Sequence, residues 1–204
     1  MITLKSPAET EIVIKKSRFL GLASRTGSEE EAQHILEQRR KQHYDARHHC
    51  FAYVLENGAM RYSDDGEPQG TAGVPMLEVL KKTGLTDVIV ISTRYFGGTL
   101  LGAGGLVRAY TQSAADTLAA AKRVQRIECG IFQCRFDFPV WARAEKALVS
   151  LGFAPGEVRY TDAVTVDYCV NPGEEERLMQ AVINLTQGKT SPLALGTRAV
   201  EIDI

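Results

Sequence analysis

No apolar run in the 204-residue sequence approaches the ~18 residues that a bilayer-spanning helix needs. The opening stretch, MITLKSPAETEIVIKKSRF, has no apolar segment of the kind that makes a signal peptide. Cysteine is sparse: Cys50, Cys129, Cys134 and Cys169 are scattered without a CxxC pair, and they read as reduced core or surface thiols rather than a disulfide scaffold. Charge of one sign is also missing. With 24 Lys and Arg against 25 Asp and Glu the net charge is -1, so the whole-chain basic signature of a nucleic-acid binder is absent. There is no GKS or GKT, so no P-loop. These absences lead to the expectation of a cytoplasmic protein with reduced thiols.

What is present is an ordinary globular mixture, 44% hydrophobic and 24% charged, with enough length for one large domain or two small ones. Charge divides the chain unevenly. Residues 1–126 carry 17 Lys and Arg against 14 Asp and Glu, while residues 127–204 carry 7 against 11. The boundary follows an Ala-rich helical stretch, and AAAKRVQR (119–126) reads as a linker between two domains, 1–126 and 127–204.

In the first domain, residues 11–15 and 19–23 read as short strands. SEEEAQHILEQRRK reads as a helix, with Ser28 and Glu31 as a capping box, acids at its start and Arg39, Arg40 and Lys41 at its end. ARHHCFAYVL (46–55) is a strand turning through Asn57-Gly58 into AMRYS. A loop over 63–73 leads into a helix over 74–83. DVIVIST (87–93) has the β-branched run of a strand covered on both faces, and 104–121 has helical spacing. In the second domain, the order βαββαβ predicts a ferredoxin-like sandwich whose last strand aligns Val200, Ile202 and Ile204.

Three segments carry candidate chemistry. TRYFGGTLLGAGGLVRAY (93–110) runs from a strand into a helix start. Gly97, Gly98, Gly102, Gly104 and Gly105 permit main-chain N–H groups to approach an anion, flanked by Arg94 and Arg108. The same glycines could equally serve a tight turn. SDDGEPQGTAG (63–73) places Asp64, Asp65 and Glu67 together, weak candidates for Mg²⁺ or acid–base work. It also reads as plain turn chemistry, with Thr71 capping the next helix. In RRKQHYDARHHCFAY (39–53), alternation puts Arg47, His49, Phe51 and Tyr53 on one strand face, the cation–aromatic combination of RNA-binding sheets. On the competing reading Phe51 packs inside. His48, Cys50, Ala52 and Val54 fall on the opposite, core-like face. Cys50 is there a buried, inert thiol, and adjacent His48 and His49 cannot ligate one metal together.

At ARHHCFAYVL, SDDGEPQGTAGVPML and TRYFGGTLLGAGGLVRAY, with KSRFLG (16–21) near the start, the sequence resembles the IMPACT family, and its tail resembles the extra domain of bacterial two-domain members. The resemblance implies an α/β (α+β) protein. Its first part would be an α/β sandwich like domain IV of elongation factor G, with a left-handed crossover, and its ferredoxin-like tail would be like domain V. Eukaryotic members regulate translation initiation by competing for a stress-kinase activator through an N-terminal RWD domain. The match here begins almost at residue 1, so what the resemblance implies is ribosome or RNA association, with no catalytic residues to transfer. The matched positions that could form a site are Arg47, His49, Asp64, Asp65, Glu67, Arg94, Gly97, Gly98, Gly104, Gly105 and Arg108.

The leading expectation is a non-enzymatic, translation-associated regulator or RNA- and ribosome-binding protein that needs no cofactor. Its partner would be the ribosome, RNA or a translation-associated protein, with no membrane and no DNA sequence specificity, met chiefly through residues 1–126. The alternative is an enzyme acting on a phosphorylated or anionic small molecule at the glycine loop, with Mg²⁺ on the acidic loop. That reading requires the two loops to converge. A protein-interaction module is the third.

Overall fold

The alternating pattern of the first half closes into a five-stranded sheet in the computed structural model, which describes all 204 residues. Along the chain lie β1 (Ile2–Leu4), β2 (Ala8–Ile14), β3 (Ser17–Arg25), α1 (Glu29–Gln42), β4 (His48–Val54), β5 (Met60–Ser63), α2 (Gly73–Thr83), β6 (Val88–Tyr95) and α3 (Ala103–Ala120). β7 (Arg123–Phe136), α4 (Phe138–Ser150), β8 (Pro155–Tyr160), β9 (Val164–Val170), α5 (Glu175–Thr186) and β10 (Leu193–Asp203) follow. Two compact units result: Met1–Gln125 with Ile202–Ile204, and Arg126–Glu201.

In the first unit the strand order is β2-β3-β6-β4-β5, with every neighbouring pair antiparallel. β6 is covered on both faces, as its β-branched run predicts. Val88 and Val90 pack with Met76 and Leu80 of α2 and Ala109 and Leu118 of α3. Ile89 and Ile91 pack with Ala32 and Leu36 of α1. Each such buried aliphatic side chain contributes about 1.5–3 kcal/mol. α1 begins as its sequence signals: Ser28 Oγ accepts from the Glu31 N–H at 3.2 Å, and Glu31 Oε2 accepts from the Gly27 N–H at 2.6 Å. Between β2 and β3 the two-residue turn consists of Lys15 and Lys16, at φ 46° and 64°. Lysines seldom hold this left-handed conformation, which hairpin turns usually give to Asn or Gly.

Three expectations are corrected. Residues 119–126 are no linker: α3 runs to Ala120, and from Arg123 the chain is strand, pairing with Ile2–Leu4 and burying Val124. Thr71 does not cap α2; its hydroxyl donates to the Pro68 carbonyl, and a carboxylate from the preceding loop takes the helix N–H groups. Finally, Phe51 and Tyr53 form no open aromatic face. They lie beneath α1 with Ala32, Leu36, Ile89 and Ile91. Strand alternation did place them on one face, but a helix covers that face.

The second unit follows βαββαβ in the order β10-β7-β9-β8, the ferredoxin-like arrangement. Its core joins Phe132, Cys134 and Phe136 of β7 to Trp141, Ala144 and Leu148 of α4 and Leu178 and Val182 of α5. Burial pushes the Cys134 thiol up to about 12, so it acts as a small apolar side chain.

Candidate functional site

One end of the first sheet gathers several of the polar residues that the fold buries. His48 and Arg94 are register partners on antiparallel β4 and β6, so their side chains share a face, the one toward α2 and α3. Glu67 enters from the β5–α2 loop and Tyr110 from α3. Glu67 Oε1 accepts from Arg94 Nη1 and from the Tyr110 hydroxyl, each at 2.7 Å. His48 Nε2 stands 3.9 Å from the same oxygen. The Arg94 and Glu67 side chains are only 6% and 3% exposed, so the ion pair lies in a low-dielectric setting where its geometry is strongly held. Burial, with Cys50 and Glu67 adding to it, pushes the Tyr110 phenol far up and keeps it a neutral donor. His48 Nδ1 lies 2.8 Å from the Asp65 carbonyl. A carbonyl only accepts, so Nδ1 carries the proton and Nε2 is left toward Glu67.

The acidic loop divides its carboxylates among three tasks, which corrects the reading that Asp64, Asp65 and Glu67 gather on Mg²⁺. Asp64 accepts from the N–H groups of Gly70, Ala72 and Gly73 at 2.8–2.9 Å, capping α2 from outside the helix. Burial alone would raise its pKa, but those three donors hold the carboxyl below its usual range. Asp65 accepts from Arg40 Nη2 and from the His49 N–H. Only Glu67 turns to the pocket. No three His, Cys, Asp or Glu side chains come together as a metal site. Cys50 is fully buried, its thiol donating to the Asp64 carbonyl at 3.0 Å and pushed up by desolvation, inert as the sequence implies.

The glycine loop supplies the other wall. A Cβ at Gly97 would sit 2.0 Å from the Lys16 carbonyl carbon, so the loop can lie against the β2–β3 turn only as glycine. The Gly97 N–H donates to Ser17 Oγ at 3.1 Å, and Arg94 Nη2 reaches the same hydroxyl at 3.3 Å. Gly98 and Gly102 hold φ 81° and 71°, and Gly102 caps α3. The first bond of α3 runs from the Leu106 N–H to the Gly102 carbonyl at 2.9 Å, which leaves the N–H groups of Ala103, Gly104 and Gly105 without acceptors in the chain. Beside this turn, at Gly102 and Ala103, opens a pocket of about 380 Å³. Arg47, His48, Glu67 and Arg94 form its polar side, and Phe96, Leu100, Leu101, Leu106 and Pro68 its apolar side. The Arg47 and Arg94 guanidinium groups lie 5.8 and 5.6 Å from the centre of the Phe96 ring. A hollow of about 510 Å³ beside Lys5, Lys122 and Asp203 is larger, but no aromatic or buried polar side chain lines it.

Of the positions singled out from sequence, the fold thus brings together Arg47, Glu67 and Arg94, with Gly104 and Gly105 in the first turn of α3. It sets Arg108 apart, exposed on α3 and outside the pocket. His49 is buried on the α1 side of the sheet, with Phe51 and Tyr53. Sequence reasoning missed His48, Tyr110 and Phe96, as well as Ser17 and the Lys15–Lys16 turn on which the loop rests. The available signal was the register of two antiparallel strands, which pairs His48 with Arg94 and which one strand's alternation cannot reveal.

The Impact N-terminal domain model matches residues 15–118, a span that holds every pocket residue. The chain is 43% identical over 190 residues to the IMPACT family member YvyE of Bacillus subtilis, covering 92% of this chain and 88% of that one. This chain belongs to the IMPACT family. Another IMPACT member, YigZ of Escherichia coli, is 48% identical over 101 residues, 48% of this chain and 50% of its own length. The crystal structure of a hypothetical protein superposes with TM-score 0.60 at 29% identity, covering 95% of this chain and 96% of that one, so this two-unit arrangement of elements is shared at full length. The IMPACT match covers the three strings that carried the resemblance, and with them both loops that meet at the pocket.

Proposed function

We propose that this IMPACT member is a non-enzymatic, translation-associated binding protein that contacts RNA, free or within the ribosome, through the pocket at the α3 N-terminus. One observation carries the reading. The first turn of α3, with three N–H groups without acceptors, borders a pocket where Arg47 engages no carboxylate and Phe96 is 41% exposed, while the buried Arg94 is matched by Glu67. Such an arrangement accepts a phosphate at the helix end and offers a ring for stacking. Because Phe51 and Tyr53 are buried, the reading takes this edge as the contact rather than the sheet face. Lys15 and Lys16, exposed on the turn against Gly97, add positive charge beside it.

The test is association at low salt, with the protein followed through sucrose-gradient fractions and titrated onto single-stranded RNA. Phosphate-driven binding should weaken linearly in log K against log salt, and Arg47→Ala should reduce the slope by about one phosphate contact. Protein confined to the top of the gradient, with no RNA binding at low salt, removes the reading. A second reading, an enzyme acting on a small phosphorylated molecule, draws on the convergence of Glu67 and Gly102 at one pocket. Turnover of a phosphate ester by the purified chain, abolished by Glu67→Gln, would favour it.

A further inference from the structure

We propose that the pocket takes a single nucleoside monophosphate unit whose base carries an amino group, with the phosphate on Ala103–Gly105 and the base against Phe96. This rests on the pocket being the working site of the chain and specifies what enters it.

The helix end is not the only feature that points to a ligand. Arg94 lines the pocket, is 5% exposed, and keeps its Nε without a hydrogen-bond partner. Unpartnered buried donors are uncommon and call for a specific account. Gly104 gives a further indication: a Cβ there would meet nothing within 4 Å, and its φ is not left-handed. Neither packing nor backbone strain therefore requires glycine at this exposed position in the first turn. A phosphate approaching the first turn of α3 would use that space.

Beyond the phosphate position the walls are apolar and the floor accepts hydrogen bonds. Phe96 and Leu100 are 41% and 83% exposed, so part of each large apolar surface stays open although Arg47 and Arg94 lie against the Phe96 ring. A planar base fits between such walls, and stacking on an aromatic ring does not depend on which base it is. The floor does discriminate. Both bonds to Glu67 use Oε1, from Arg94 and Tyr110, so Oε2 is free to accept. His48, with Nδ1–H on the Asp65 carbonyl, turns Nε2 toward the same floor, 3.9 Å from Glu67 Oε1. A free carboxylate oxygen calls for an N–H donor on the base, which the exocyclic amino groups of adenine, cytosine and guanine supply. Uracil presents one N–H between two carbonyls, which would face a carboxylate unfavourably. The volume of about 380 Å³ lies near the lower end of the ~300–1,000 Å³ typical of small-ligand sites, room for one nucleotide rather than a run of them.

Calorimetric titration of the full chain with AMP, GMP, UMP, adenosine and inorganic phosphate tests the assignment. AMP and GMP should bind at least about tenfold more tightly than UMP, and adenosine and phosphate alone each about tenfold more weakly than AMP. Ala103→Pro removes one N–H at the first helical position. Proline is tolerated at the first helical position, and Gly102, at ψ 164°, is outside the helical ψ that clashes with a following proline, so the fold should hold while AMP binding falls about tenfold. Phe96→Ala should lower affinity for every nucleotide without altering the preference over UMP. Equal binding of AMP and UMP, or full AMP affinity in Ala103→Pro, overturns the assignment. A trinucleotide that competes with AMP only when its amino-bearing base is terminal would mark an RNA end as the source, and competition by the free mononucleotide alone would mark a metabolite. Single-stranded RNA binding that persists with no mononucleotide binding sinks this inference and leaves the broader reading standing. Mononucleotide binding without any RNA or ribosome association does the reverse.

Discussion

Replacing Glu67 by alanine should destabilise the first unit more than any exposed substitution. The change leaves Arg94 buried with a full charge. Its Nη1 loses the carboxylate at 2.7 Å, its Nε has no partner, and only the Ser17 hydroxyl at 3.3 Å and the rings of Phe19 and Phe96 remain. Tyr110 loses its acceptor in the same step. Breaking one side of a buried ion pair costs about 3–5 kcal/mol. For a chain of this size that corresponds to a fall of roughly 6–20 °C in midpoint, at about 2–4 °C per kcal/mol. Far-UV circular dichroism during heating reads the loss. The sole tryptophan, Trp141, lies in the core of the second unit, so its fluorescence records that unit separately. Glu67→Gln should fall between wild type and Glu67→Ala, since an acceptor remains but the charge does not. The double variant Glu67→Leu with Arg94→Met should recover at least half the loss, because neither charge is then buried. A Glu67→Ala midpoint within about 2 °C of wild type, or a double variant worse than the single one, would refute the claim that an orphaned charge sets the cost.

Asp64→Ala strips the acceptor from three main-chain N–H groups and should cost about 2 kcal/mol by urea denaturation, with Asp64→Asn milder. Since the folded carboxyl lies below its ordinary value, the stability it contributes is present above the unfolded pKa and should be lost as pH falls below about 4 toward the folded one. Gly97→Ala should destabilise by about 1–3 kcal/mol because its Cβ would strike the Lys16 backbone. Gly104→Ala, in open space, should be neutral or stabilise by up to about 1 kcal/mol, so equal effects at the two glycines would contradict the distinction drawn between them. His43 and His49 are both held below the usual imidazole range, chiefly by burial, with Arg39 adding to it at His43 and Asp65 partly opposing it at His49. The unfolded chain therefore binds more protons than the folded one. The urea midpoint should be highest above about pH 6.5 and decline as pH falls through that value, and His49→Gln should flatten the decline.

Local signals were strong where a single element determined them. Ser28 and Glu31 started α1, Gly84 closed α2, and the β-branched run of β6 implied two covered faces, all from nearest-neighbour chemistry. The site was legible only in part because its members meet through register and loop geometry. Arg47, Arg94 and the glycines stood out by type, but His48 became a site residue only through its pairing with Arg94 across two strands. Asp64 and Asp65 looked like a cluster in sequence, and the left-handed Asp65, at φ 43°, sends its carboxylate to Arg40 while Asp64 caps a helix. Phe51 and Tyr53 failed for a related reason: alternation assigns a face, and only tertiary structure determines whether that face is open or lies under α1. Arg123–Gln125 read as linker because its strand partner, Ile2–Leu4, lies about 120 residues earlier in the chain.

The most direct test of the pocket is a ¹⁵N–¹H titration of the labelled full chain with AMP, following the amides of Ala103, Gly104 and Gly105. Large, saturable shifts at those three, with smaller ones at Phe96 and His48 and none in Arg126–Glu201, are expected. Saturable AMP binding that leaves the three amides unmoved would contradict the account at its centre.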